Sequence, residues 1–243
     1  MRYLLLNRAE LEAFLRPFEL EIIACTIEDA LAAWRGGAHC LEITVSLDQA
    51  GLTPPVDLVR QIVNQVRIPA RAMLRETASF TIQSDEELAT LRSRAAEFSE
   101  MGVEGFVAGF VKDGSLDLEV LASVVTLAPS TPVTVHNAIE QTSDPLKALS
   151  DLRGIPQVDR ALVRAGTTVQ ERIERLPEYT RALGPGKELI LGGDLKLEML
   201  QQLRHETSVR VFHLGRAVRT PETPNGAVDE AKVRKAVEIL SAD

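Results

Sequence analysis

The feature that most restricts this chain is an alternation, repeated eight times, between short aliphatic or β-branched runs and longer amphipathic stretches. The runs are Phe18–Ala24, His39–Val45, Ala70–Leu74, Gly105–Phe110, Pro132–Val135, Asp159–Val163, Glu188–Leu191 and Arg210–His213, each followed within a few residues by a helical pattern. Alternation of this kind builds βα units around a parallel sheet, and eight units is the number at which that sheet closes on itself. The length of 243 residues matches one such barrel and requires no second domain. The reading is an α/β fold, a (β/α)₈ TIM barrel forming a single domain over residues 18–243.

Punctuation supports the helices. Thr26 with Asp29, Ser84 with Glu87, and Asp144 with Pro145 have the form of N-caps followed by an acidic residue or a first-turn proline. Gly36-Gly37, Gly102, Gly154 and Gly184 stand where helices should stop. Residues 1–17 form an N-terminal extension that patterns as a short amphipathic helix through Leu4, Leu5, Leu11, Phe14 and Leu15, expected to cap the barrel bottom. The irregular stretch Thr220–Gly226 is expected to cross or border the site.

Composition excludes several partners. A net charge of −8 without a block of lysine or arginine leaves no footprint for nucleic acid or an anionic membrane. Tyr3-Leu4-Leu5-Leu6 is too short for the apolar core of a signal peptide, and no run is long enough to span a bilayer. Cys25 and Cys40 have no CxxC spacing, so neither a disulfide framework nor a structural zinc site is indicated, and a reducing cytoplasm fits best. Small molecules are the expected partners, and self-association into a homo-oligomer is left open.

In barrels of this kind the chemistry lies where strands run into the following loops. Glu42 places a carboxylate inside the apolar triplet Leu41-Glu42-Ile43, and Glu21 repeats the feature one strand earlier. A buried carboxylate needs a partner, and Arg75 at the end of the third strand is the expected one. The alternative is a structural ion network of Glu21, Glu42, Arg75 and Arg164. His136 and His213 end the fifth and eighth strands, where acid–base work or ligand binding would place them. Gly192-Gly193 after strand seven and Gly215-Arg216 after strand eight hold the position where many barrels bind phosphate, although Asp194 would repel such a group. Schiff-base chemistry needs a lysine in the mouth. Lys112 is the only one near a strand end, beside an Asp113-Gly114 turn.

Leu20-Glu21-Ile22, Glu28-Asp29-Ala30, Leu41-Glu42-Ile43, Gly51-Leu52-Thr53-Pro54, Met73-Leu74-Arg75, Ser84-Asp85-Glu86-Glu87, His136 with Ala138, Gly192-Gly193 and Phe212-His213 occur in an order that resembles the CutC family, barrel proteins linked to copper homeostasis. The resemblance implies copper as ligand, and nothing else in the chain names a cofactor. The cysteines usual for that family fall at Ile23 and Thr44 here. Cys40 lies about 13 Å of strand before Thr44. A copper(I) site shared by Cys25 and Cys40 is therefore not expected, although thiolates are the preferred ligands of that ion.

Three functional readings follow. One is a copper-homeostasis barrel with a polar mouth of Glu21, Glu42, Arg75, His136, Arg164 and His213. A second is an enzyme for a small phosphorylated or carboxylated substrate, with Arg75, Arg164 and Arg216 holding the anion near Gly192, Gly193 and Gly215, and His136 or Glu42 moving a proton. A non-catalytic interaction role is the third.

Overall fold

The computed structural model describes residues 18–242; the helix expected over 1–17 lies outside them. Eight parallel strands close a barrel: β1 (Glu19–Ala24), β2 (Cys40–Ile43), β3 (Ala70–Met73), β4 (Gly105–Ala108), β5 (Val133–Val135), β6 (Val158–Val163), β7 (Glu188–Leu191) and β8 (Val211–Leu214). Each strand pairs with its neighbours in sequence, and β1 pairs with β8 to seal the ring. Eight helices follow the strands: α1 (Ile27–Arg35), α2 (Val56–Gln65), α3 (Asp85–Glu100), α4 (Leu118–Val124), α5 (Pro145–Asp151), α6 (Val169–Leu183), α7 (Leu197–Glu206) and α8 (Glu230–Ser241). Every strand expected from sequence is present.

The helices begin where side-chain acceptors are available. Thr26, Ser84 and Asp144 accept from the backbone N–H of Asp29, Glu87 and Lys147, and Thr168 with Glu171 closes a full capping box. Such caps satisfy N–H groups the helix itself cannot pair. The Asp113-Gly114 turn is a hairpin between Val111–Lys112 and Ser115–Leu116, with φ of 50° and 74° as a primed turn requires.

Strand periodicity divides the side chains into two sets. Leu20, Ile22 and Ala24 of β1, Leu41 and Ile43 of β2, and Phe212 and Leu214 of β8 join the large core between sheet and helices. The alternate positions face the lumen, where Leu162, Ile190 and Val211 form a small separate apolar cluster. The same parity points Glu19, Glu21, Cys40, Glu42, Arg71, His136, Arg160 and His213 inward, so this lumen is polar over much of its length.

The Thr220–Gly226 stretch is organised as a loop. Arg219–Thr220 pairs antiparallel with Ala227–Val228, and the buried Arg219 guanidinium binds Asp29, the carbonyls of Ile23 and Gly226, and Cys25 Sγ. The loop borders a cleft of about 340 Å³ lined by Cys25, Thr26, Asp29, Ser46 and Arg219.

Candidate functional site

Strand register alone brings three polar side chains together. Glu21 lies opposite His213 on β8 and opposite Cys40 on β2, while Ile23 lies opposite Glu42. Glu42 thus stands one inward-facing position above Glu21, on three consecutive strands spaced about 4.8 Å apart. The result is a cluster in which one carboxylate oxygen each of Glu21 and Glu42 and a ring nitrogen of His213 all lie within 4.8 Å of one another. All three residues are buried.

The hydrogen bonding is incomplete. His213 Nδ1 lies 2.8 Å from Glu21 Oε1, and the Cys40 thiol donates to the other oxygen, Oε2, at 3.6 Å. Glu42 accepts no hydrogen bond from any described residue. Burial pushes its carboxyl up to about 7, with the Glu21 charge adding to the rise and His213 opposing it. For His213, burial disfavours the charged ring, but the Glu42 charge and the Glu21 carboxylate outweigh it and hold the imidazole above its ordinary value. For Glu21, burial is outweighed by the His213 hydrogen bond and the charges of His213, Arg71 and Arg160, so it stays below the usual carboxylate range. A proton, a metal cation or another small cation would complete this set; an anion would not.

Arg75 is not the partner of Glu42. Its guanidinium donates to the carbonyls of Gln49, Gly51 and Ala78 at 3.0, 2.9 and 2.5 Å and stacks 4.3 Å over Phe80. The reason lies in the loop after β2: Gly51 adopts φ +90°, and a Cβ there would meet Thr44 Oγ1 at 2.8 Å. That tight turn directs several carbonyls at one point, where a planar five-donor cation satisfies them together. The ion network of Glu21, Glu42, Arg75 and Arg164 is likewise absent, because each binds elsewhere or not at all.

His136 is buried, and Nδ1 accepts from the Ala138 N–H at 3.2 Å, capping the short helix Asn137–Gln141. That acceptor role puts the ring proton on Nε2, which has no partner. Burial and the Arg75 charge push this histidine down to about 3. It is a neutral ring against the edge of Phe80, not a member of the Glu21–Glu42–His213 cluster.

The glycines after β7 and β8 do come together with arginines, yet an internal carboxylate joins them. Asp194 pairs with Arg216 and lies 3.6 Å from Arg164, all three about half exposed. Gly193 takes φ +70° against the Arg164 stem, and Gly215 packs on Ile23. Arg172, missed from sequence because it lies within α6, binds the carbonyl oxygens of Gly192 and Gly193.

Cys25 is separate from the cluster, whereas Cys40 touches it through Glu21. Cys25 sits at the rim beside Arg219, its thiol pushed up to about 11, mainly by burial. Cys40 lies beneath Glu21, and burial with the Glu21 charge raises its thiol well above the ordinary value. Thr44 Oγ1 donates to the Leu52 carbonyl at 2.9 Å, and Ile23 is apolar, so neither residue at the family's cysteine positions offers a soft ligand.

Fold and cluster define a (β/α)₈ barrel with a buried carboxylate–imidazole cluster in its lumen, carried by its first, second and eighth strands. The CutC family profile matches residues 18–218, and the chain belongs to the CutC family. Among curated relatives, the human copper homeostasis protein cutC homolog is 28% identical over 200 residues, covering 81% of this chain and 72% of its own. A CutC family protein of Treponema denticola is 27% identical, covering 87% and 86%. The crystal structure of a copper homeostasis protein CutC from Streptococcus agalactiae superposes with a TM-score of 0.73 at 20% identity, covering 82% of this chain and 98% of that one. Phosphoribosyl anthranilate isomerase from Thermotoga maritima shares the fold at TM-score 0.64 and 14% identity, covering 92% and 98%.

Proposed function

We propose that this barrel serves copper homeostasis through a cation site in its mouth, formed by Glu21, Glu42 and His213. The observation that carries the reading is the Glu42 carboxylate, buried beside a second carboxylate and an imidazole and without a hydrogen bond. Such a carboxylate is costly only while it is charged; a proton relieves it, and a bound cation would do the same. The groups that would hold an anion are engaged elsewhere: Arg75 on carbonyls, Arg164 and Arg216 on Asp194. This favours a copper ion over a phosphorylated or carboxylated substrate. In cells lacking the gene, the wild-type chain should restore copper tolerance, and a chain carrying Glu42→Gln and His213→Gln together should not. Full tolerance from that variant, at equal protein level, would remove the mouth from the function.

A further inference from the structure

We propose that the barrel carries a docking groove at its amino-terminal end, away from the mouth, and that its occupant is residues 1–17 of the same chain, laid across the barrel bottom as an amphipathic helix. Those residues lie outside the described ones; the groove does not. It encloses about 630 Å³ between the end of α4 and the starts of β5 and β6, with Leu121, Val125, Pro129, Pro132, Ile155 and Pro156 in its lining. Leu127, next in the chain to the lining Thr126, is 61% exposed, and no other large hydrophobic residue is exposed among the described residues. A single exposed leucine needs no explanation, but one that adjoins an apolar groove extends it into a contact face.

Reach selects the occupant. All eight strands run parallel, so Phe18, ahead of β1, lies at the same end of the barrel as the starts of β5 and β6 that line the groove. Around the ring β6 stands three strands from β1 and β5 four, on the far side. Eight strands about 4.8 Å apart and tilted by about 36° close a ring about 15 Å across. Pro17 ends the helical pattern, because the residue before a proline is driven out of the helical region. A helix from Leu5 to Leu15 then covers about 15 Å, and the extended link from Leu15 to Phe18 adds about 10 Å. That is enough to cross the ring and set Leu4 and Leu5 over the groove. Tethering at Phe18 keeps the segment at an effective concentration of millimolar order, which favours its own chain's groove over that of a second copy.

The residues of the segment match the surface it would cross. At about 100° per residue, Leu4, Leu11 and Leu15 fall on one stripe, with Leu5 and Phe14 on its flanks. The barrel bottom offers the half-buried Phe18, Ile68 and Ile155, ahead of β1, β3 and β6. Arg8 shares the stripe midway along it. The same end of the barrel presents the Glu104 and Asp159 carboxylates, which bind Arg71 but remain about a third exposed. A basic residue between two apolar ends, above two carboxylates, fixes the direction in which the helix lies. The matched family profile starts at residue 18, so the segment is an addition to the family barrel.

The test is hydrogen exchange, read by mass spectrometry, on the full chain and on its Ala122→Arg and Leu127→Asp variants. Both positions are exposed, one in the groove lining and one beside it, so the barrel should fold in either variant, as thermal melts would check. In the full chain the amides of residues 3–15 should exchange at least ~10-fold more slowly than in a free peptide of residues 1–17. Ala122→Arg should return them to the peptide's rate, and Leu127→Asp should move them part of the way. As a second measurement, Leu5→Cys with Ser130→Cys, in a chain also carrying Cys25→Ser and Cys40→Ser, should be joined within one chain by a short bis-maleimide. Peptide-like exchange in the full chain would overturn the proposal, as would protection that neither groove variant changes. Cross-linked dimers in place of the internal link would give the groove to a second copy and overturn it too. If a groove variant loses its cooperative melt, the cross-link decides alone, and its absence overturns the proposal.

Discussion

The two ends of the barrel lumen treat buried charge in opposite ways. Near the amino-terminal end, Arg71 is wholly buried and uses all five of its N–H groups: two on Glu104, two on Asp159 and one on Thr134, at 2.5 to 3.0 Å. Its carboxylate partners are about a third exposed, so solvent shares their charge. Near the carboxyl end, Glu42 is buried with no hydrogen bond, and the one cationic group beside it, His213, is already engaged by Glu21. A saturated ion network is complete as it stands, and its work is to hold three strands in register. An unsaturated one leaves room for a further proton or cation, and on that difference rests the proposal of a site at this end. The proposed placement agrees with the barrel pattern in which functional groups gather at the carboxyl ends and stability residues at the amino ends.

The comparison breaks most visibly at the saturated end. Replacing Glu104 and Asp159 together by alanine strips Arg71 of the two partners that outweigh its desolvation and leaves a buried guanidinium that is still charged, because arginine does not give up its proton. Stability should fall by about 3 to 5 kcal/mol, the cost of stranding a buried charge, measured by denaturant unfolding. A loss below ~1 kcal/mol would mean that the network is incidental.

His136 comes next. It is held neutral, about 3 against an ordinary 6.5, so between those values the unfolded chain binds a proton that the native chain refuses. Stability is full above pH 6.5 and is lost as pH falls through that window. From pH 7 to 5 the native protein should lose about 2 kcal/mol that His136→Asn, which keeps an acceptor for the Ala138 N–H, does not lose. Parallel pH profiles for the two proteins would refute the assignment of His136 as a neutral capping residue.

Glu42 gives the smallest effect on folding and reverses its sign. Glutamine in its place relieves a desolvated carboxylate, so the ion-free protein should become more stable by about 1 kcal/mol at pH 8. Destabilisation of similar size would show that Glu42 has an internal partner, which would return the mouth to the class of structural networks.

How far this contrast was legible in the sequence follows from parity and from strand ends. The eight strands carried their own signal, because aliphatic triplets between helical patterns mark a parallel barrel. Glu21 and Glu42 were visible as charges inside such triplets, and His213 as a strand-terminal histidine. Their convergence was not, since it depends on the register that sets Glu21 against His213 and Ile23 against Glu42. Arg75 was assigned to the wrong partner because sequence shows an arginine near a buried carboxylate but not the carbonyls that the Gly51 turn aims at it. Arg71 and Arg160 lie near strand starts, where the barrel pattern carries no site signal, though Arg71 shares the inward parity of Met73 and Arg75. Asp29 looked only like a helix-start acid, yet it also receives Arg219 from beyond the last strand, a contact 190 residues away.

The central claim, that Glu21, Glu42 and His213 hold a copper ion, is tested most directly by X-ray diffraction from crystals loaded with one equivalent of copper, with data collected on both sides of the copper absorption edge. The account predicts a single anomalous peak within coordination distance of the Glu21 and Glu42 carboxylates and the His213 ring. A peak at Cys25 or Cys40, or a fully loaded crystal with no peak in the mouth, would contradict it.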